Sequence, residues 1–214
     1  MIQLKNLAAA FALAGLVFAG SSANAKDFGA SFYLEVGALT ADPDNAIDEF
    51  TRDNLAATWD LDRMKGARGQ IGGDFGHVRA DFKLRAMHGD VNSISGTPGG
   101  SNVTESDAIL AVGTLNLYVD IYDIPVTDGF TITPYFGVGY GFSYGFMQAN
   151  APGTNNVSRT DHRNDGGRAK VGMIGALFEV ADTIGLTAEY ERIDTGLNGL
   201  DDADNYSVGL RLTF

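Results

Sequence analysis

Between residues 78 and 86 the chain alternates without a break, with Val78, Ala80, Phe82, Leu84 and Ala86 on one face and Arg79, Asp81, Lys83 and Arg85 on the other. A β-strand has period two, so these are its two sides. Four successive charges turned into the core of an ordinary sandwich would each be stripped of water at a cost of several kcal/mol. A barrel wall standing in lipid removes the conflict, because its outside is apolar and its lumen polar. This segment therefore asks for hydrocarbon on one face and a polar interior on the other.

Seven further segments of about ten residues follow the same logic, the length that a tilted strand needs to cross a membrane. Residues 28–39 put Phe32, Leu34 and Val36 out and Tyr33 and Glu35 in, and residues 66–74 put Ala67, Gly69 and Ile71 out. Residues 109–120 turn Leu115, Leu117 and Val119 out and Asn116, Tyr118 and Asp120 in. In residues 131–144, Pro134, Phe136, Val138, Tyr140, Phe142 and Tyr144 oppose Tyr135, Gly137, Gly139 and Gly141. In residues 184–192, Leu186, Ala188 and Tyr190 oppose Thr187, Glu189 and Glu191. In residues 206–214, Tyr206, Val208, Leu210, Leu212 and Phe214 oppose Ser207, Gly209, Arg211 and Thr213. Residues 168–180 have strand length, but Met173 and Leu177 share a face with Glu179 and break the alternation. The total is eight, and the fold expected is all-β, an eight-stranded antiparallel transmembrane β-barrel.

The links agree with that count. Short connections at residues 74–77 and 181–183 and a medium one at 121–129 alternate with long ones at 40–65, 88–108, 145–167 and 194–205. Short periplasmic turns and long extracellular loops have this rhythm when both termini face the periplasm. An even number of strands closes without an exposed edge, the condition for sitting in lipid.

Ahead of the strands, Lys5 precedes an apolar run over residues 7–19, and small residues at Ala23 and Ala25 follow. The run is shorter than the roughly 20 residues of a spanning helix, so residues 1–25 are expected to be a cleaved secretory signal peptide. Residues 26–214 are then one barrel domain in the outer membrane of a Gram-negative bacterium. The absence of cysteine excludes a disulfide scaffold, thiol catalysis and Cys-ligated zinc, and the net charge of -12 argues against nucleic acid. A mean hydropathy of -0.04 fits a wall whose two faces average to neutral.

The stretch Thr133-Pro-Tyr-Phe-Gly-Val-Gly-Tyr-Gly141 resembles the fifth strand of the OmpA-like and Opa-like family of small outer-membrane barrels, and Leu115-Asn-Leu-Tyr-Val-Asp120 its fourth. Gly175 to Val180, Ala188-Glu189-Tyr190 and the terminal Phe214 extend the likeness over nearly all of residues 26–214. The resemblance implies a role at the cell envelope, without the peptidoglycan-binding domain of full-length OmpA proteins. It also implies that Tyr206, Val208, Leu210, Leu212 and Phe214 form the C-terminal signal read by the outer-membrane assembly machinery.

Inside the barrel, Glu35, Arg79, Asp81, Lys83, Arg85, Glu189, Glu191 and Arg211 are expected to form a lumenal charge network, since unpaired buried ions are costly. Such a network would plug an eight-stranded lumen. The acidic clusters Asp42, Asp44, Asp48 and Glu49 and Asp201, Asp202 and Asp204 read as solvated loop surface, with divalent bridging to lipopolysaccharide as the sharper alternative. Arg52, Arg63, Lys65, Arg163, Arg168 and Lys170 stand near loop bases, where they could meet lipid A phosphates. No catalytic residue, cofactor or metal ligand is assigned, because His77, His88 and His162 start no His-x-Ser-Asn arrangement and lie in turns or loops. The glycines of 137–145 have neither the Lys-Ser/Thr nor the helix of a phosphate loop. The function expected is a non-enzymatic outer-membrane anchor with four extracellular loops in a structural, adhesive or host-facing role. The alternatives are a small channel or hydrophobic-solute conduit resembling the OmpW group and, behind it, a lipid A-modifying enzyme. Partners are outer-membrane lipid and lipopolysaccharide, the assembly machinery and a surface ligand of the loops.

Overall fold

The computed structural model describes residues 30–43, 46–50, 55–95, 101–102, 105–152, 158–181, 183–197 and 200–214. The expected signal peptide lies outside the described residues. Eight strands carry the fold: β1 (Ser31–Pro43), β2 (Met64–Asp74), β3 (Val78–Gly89), β4 (Glu105–Asp120), β5 (Phe130–Pro152), β6 (Ser158–Ala181), β7 (Ile184–Leu197) and β8 (Leu200–Thr213). Each runs antiparallel to its chain neighbour, and β8 pairs back onto β1. Phe32 and Phe214 exchange two backbone hydrogen bonds of 3.0 and 2.9 Å where the ring shuts. Closure gives each of the eight strands a partner on both sides, as hydrocarbon demands of the part that crosses it.

The register fixes the stagger of the ring. Followed from strand to strand, Tyr33 leads through Gly72, Asp81, Asn116, Gly139, Val171, Ile193 and Ala203 back to Pro43, ten residues further along β1. That displacement requires strands inclined by roughly 35–45° to the barrel axis. The outward row from Tyr206 to Phe214, so inclined, is roughly 20 Å tall, close to the ~25 Å apolar band of an outer-membrane barrel. Leu115, Val138, Ile174 and Val208 are 60% or more exposed on this wall, where lipid is the solvent.

The strands confirm the expected count but run further than expected at the end where the sequence places loops. β5 and β6 pair from Thr131↔Glu179 out to Pro152↔Ser158, so the long link of residues 145–167 is mostly a hairpin extension. The link of residues 194–205 contracts in the same way, with Leu197 paired to Leu200. Once a ladder has started, each added residue gains backbone hydrogen bonds without any need for an apolar face, so polar sequence continues it past the lipid. The first and second long links hold short strands, Ala46–Phe50, Leu55–Leu61, Val91–Ser95 and Ser101–Asn102, joined in a second sheet. The medium link contains Ile124–Thr127, which folds back on the start of β5.

Another expectation needs correcting. β6 does not lose its alternation: Ala169, Val171, Met173 and Leu177 all face the lumen and are buried, while Ile174 and Val180 face out. The strand looked irregular because its interior face is apolar too.

After folding in detergent, the unheated chain should migrate faster on electrophoresis than the heated chain and give a β-rich circular dichroism spectrum. Identical mobility before and after heating would contradict the closed ring.

Candidate functional site

Glycines make room for the interior. A Cβ at Gly72 would stand 2.8 Å from the Tyr33 ring, one at Gly137 2.6 Å from Tyr118, and one at Gly175 2.6 Å from Tyr135. Each lumenal tyrosine therefore lies across a glycine of the next strand, and on the inner face of β5 Gly137 makes room for the Tyr118 ring while Gly139 makes room for Asn116.

Those rings surround the lowest tier of charge, next to the short turns. Arg79 donates from Nε to both oxygens of Asp120 at 3.0 and 2.9 Å and from Nη2 at 2.6 Å. Its guanidinium sits 4.5 Å over the Tyr135 ring and 5.2 Å over Tyr118, and these two rings meet edge to face at 5.6 Å. Asp81 accepts from the Tyr33 hydroxyl at 2.9 Å and from Asn116 at 2.6 Å. Below this tier a cavity of about 420 Å³ opens at the turn end, lined by Asp74, Asp120, Asp123 and Glu179.

The middle tier is organised by three glutamates. Glu35 accepts from Arg68 at 2.6 Å, Gln70 at 3.0 Å and Arg211 at 3.3 Å. Glu189 accepts from Lys83 at 2.5 Å and from the Tyr135 hydroxyl at 3.1 Å, and lies 3.5 Å from Arg68. Glu191 joins Lys83 at 3.0 Å, Arg85 at 2.7 and 2.5 Å, and Asn205 at 2.5 Å. Paired in this way, the ions repay part of the desolvation that an isolated charge would suffer.

The structure thus places all eight sequence-derived residues, Glu35, Arg79, Asp81, Lys83, Arg85, Glu189, Glu191 and Arg211, in the lumen and buried. Two more belong with them. Arg68 follows from the outward assignment of Ala67 and Gly69, which turns it inward, and Asp120 is the carboxylate that holds Arg79. With both included, the buried charged residues among those described are five cations and five anions, so this buried set is neutral inside a strongly acidic chain.

Toward the loop end the interior changes character. Leu39, Met64, Met87, Leu110, Val171, Ile193 and Leu197 are buried together above the ions. The expectation of a polar lumen therefore holds for only part of its height. Charges inside β1, β3 and β7 stop after Glu35, Arg85 and Glu191, and apolar side chains take over as each strand climbs.

The outer surface at the loop end is a polar rim. Asp202 and Asp204, expected as an acidic cluster, pair with Arg192 at 2.8 and 2.9 Å, while Arg63 pairs with Asp42 at 3.1 Å. Lys170 hydrogen-bonds Asp194 at 2.9 Å and holds its carboxyl below the usual carboxylate range. Arg168 and Lys65 are exposed on the same rim. Asp44 and Arg52 lie outside the described residues. The Ser143 hydroxyl donates to the Thr195 carbonyl, and His162 is registered opposite Gln148.

Residues 9–214 match the family model described as the outer membrane protein beta-barrel domain. Among solved structures the chain is similar to Neisserial surface protein A at 16% identity, covering 87% of this chain and 99% of that one, with a TM-score of 0.50. It is similar to the outer membrane protein OprG of Pseudomonas aeruginosa at 15% identity, covering 87% and 96%, with a TM-score of 0.52. At such identities the likeness is one of fold. No match is found among curated proteins.

Removing one partner of a buried ion network leaves the others desolvated and unpaired. Glu191→Ala should therefore destabilise the folded barrel by about 3–5 kcal/mol in urea titration. Arg192→Ala, at the exposed rim, should leave the transition midpoint unmoved. Equal effects of the two would show that the interior network adds no stability.

Proposed function

The chain belongs to the outer membrane protein beta-barrel domain family, and from that premise we propose that it is a non-enzymatic, non-conducting outer-membrane anchor that presents its loop end to the exterior for structural or adhesive contact. The observation that carries this reading is the filled lumen. Among the described residues an ion network fills the lower half and a buried apolar cluster fills the upper half, an interior packed with side chains rather than lined like a channel.

The material that the membrane does not require lies at the loop end. β5 and β6 have 23 and 24 residues where roughly 10 suffice to cross, and the extra four-stranded sheet is built from the first two long links. Surface recognition commonly rests on such elements held by a rigid scaffold. The apolar wall supports lipid as the surrounding partner, and the rim cations Lys65 and Arg168 suit the phosphates of lipopolysaccharide. The outward row ending at Phe214 is the segment we assign to recognition by the assembly machinery.

The conduit alternative is disfavoured by the same closed interior. Reconstituted in planar bilayers, the protein should give no discrete conductance steps at any voltage. Reproducible single-channel openings would overturn the anchor reading and point to a gated path through the ion network.

A further inference from the structure

We propose that His88, Asp90 and Asp107 form a binding site for a divalent transition-metal ion of the zinc type on the loop-end rim of the barrel. His88 stands one residue before the end of β3, Asp90 just beyond it, and Asp107 near the start of β4. Their donor atoms converge, with one nitrogen or oxygen from each within 4.8 Å of the other two, and His88 Nε2 2.7 Å from Asp107 Oδ1. A tetrahedral zinc ion with ligands at about 2.0–2.2 Å holds them roughly 3.4 Å apart, a separation within the reach of small side-chain rotations here.

The scaffold under the three groups is fixed. His88 and Gly89 are registered opposite Ile109 and Ala108, which sets the offset between His88 and Asp107. The carbonyl of Asp90 accepts from the Asp62 amide at 2.9 Å, pinning the residue that leaves the strand. Gly89 sits so tightly that a Cβ there would meet Met64 Cγ at 2.9 Å. The donor set therefore does not depend on a long loop for its geometry.

Donor chemistry selects the ion. An imidazole with two carboxylates suits zinc and its neighbours, whereas calcium takes six to eight oxygens. Two carboxylates beside a neutral imidazole balance a charge of +2. On the same rim Asp42, Asp194, Asp202 and Asp204 each hold an arginine or lysine, whereas Asp107 faces the His88 imidazole. The side chains of His88 and Asp107 are 58% and 59% exposed, so the remaining coordination positions open outward to water or an anionic group. Lys65 stands opposite His88 in the β2–β3 ladder and is the neighbouring cation that the bound ion must tolerate.

The test is calorimetric titration of the detergent-folded full chain with Zn²⁺, and in parallel with Ca²⁺. One equivalent of zinc should bind, undisturbed by calcium at the same concentration. His88→Ala and Asp107→Asn should each weaken binding by on the order of tenfold or more, while Asp194→Asn, across the rim, changes nothing. The shifted mobility of unheated samples verifies that each variant is folded. Absence of zinc binding, displacement of zinc by calcium, or zinc binding unaltered by His88→Ala would overturn the assignment.

Discussion

Within hydrocarbon there is no water to take up an unpaired amide or carbonyl, and each one left open costs several kcal/mol. A sheet can meet that condition only by joining its first strand to its last. Here the joint is β1 to β8, and the ten-residue stagger accumulated around the ring sets how far every strand leans. The tilt then decides how much sequence an apolar band needs, and the stagger decides which inward side chains meet. The contacts Arg79 to Asp120, Lys83 to Glu189 and Arg68 to Glu35 are consequences of the same closure.

Eight strands enclose a space that side chains can fill, and this chain fills it in two chemically distinct layers. Ions occupy the layer nearer the turns, where glycines make room for tyrosine rings that stand over Arg79 and Arg211. Apolar residues occupy the layer nearer the loops and keep water from the ions below. Neutrality of the inner charge set matters because a net buried charge would have to draw in a counterion. The excess negative charge of the chain is thereby left to the surface.

On the outside, chemistry changes abruptly with height. Lipid-facing aliphatic and aromatic residues give way to Lys65, His88, Asp107, Lys170 and Arg192 in one rim, with the extended β5–β6 hairpin beyond it. Interior and exterior thus differ in chemistry: the lumen is filled by paired ions and apolar side chains, and the rim is polar and exposed.

Period-two alternation together with the alternating link lengths made the fold legible in the sequence, because side-chain direction in a strand is local. From Val78, Ala80, Phe82 and Leu84 against Arg79, Asp81, Lys83 and Arg85, hydrocarbon outside and ions inside could be read without a partner strand in view. The same parity holds Arg68, but its strand offered only alanine, glycine and one isoleucine outside, too faint a contrast to single it out. Neighbours across strands were not legible, since register depends on how the ring closes. Only the tertiary structure paired Glu191 with Arg85, set His88 beside Asp107, and showed the polar links of residues 145–167 and 194–205 continuing as ladders. The physical reason is that alternation belongs to one chain segment, whereas pairing is fixed by the stagger that all eight strands share.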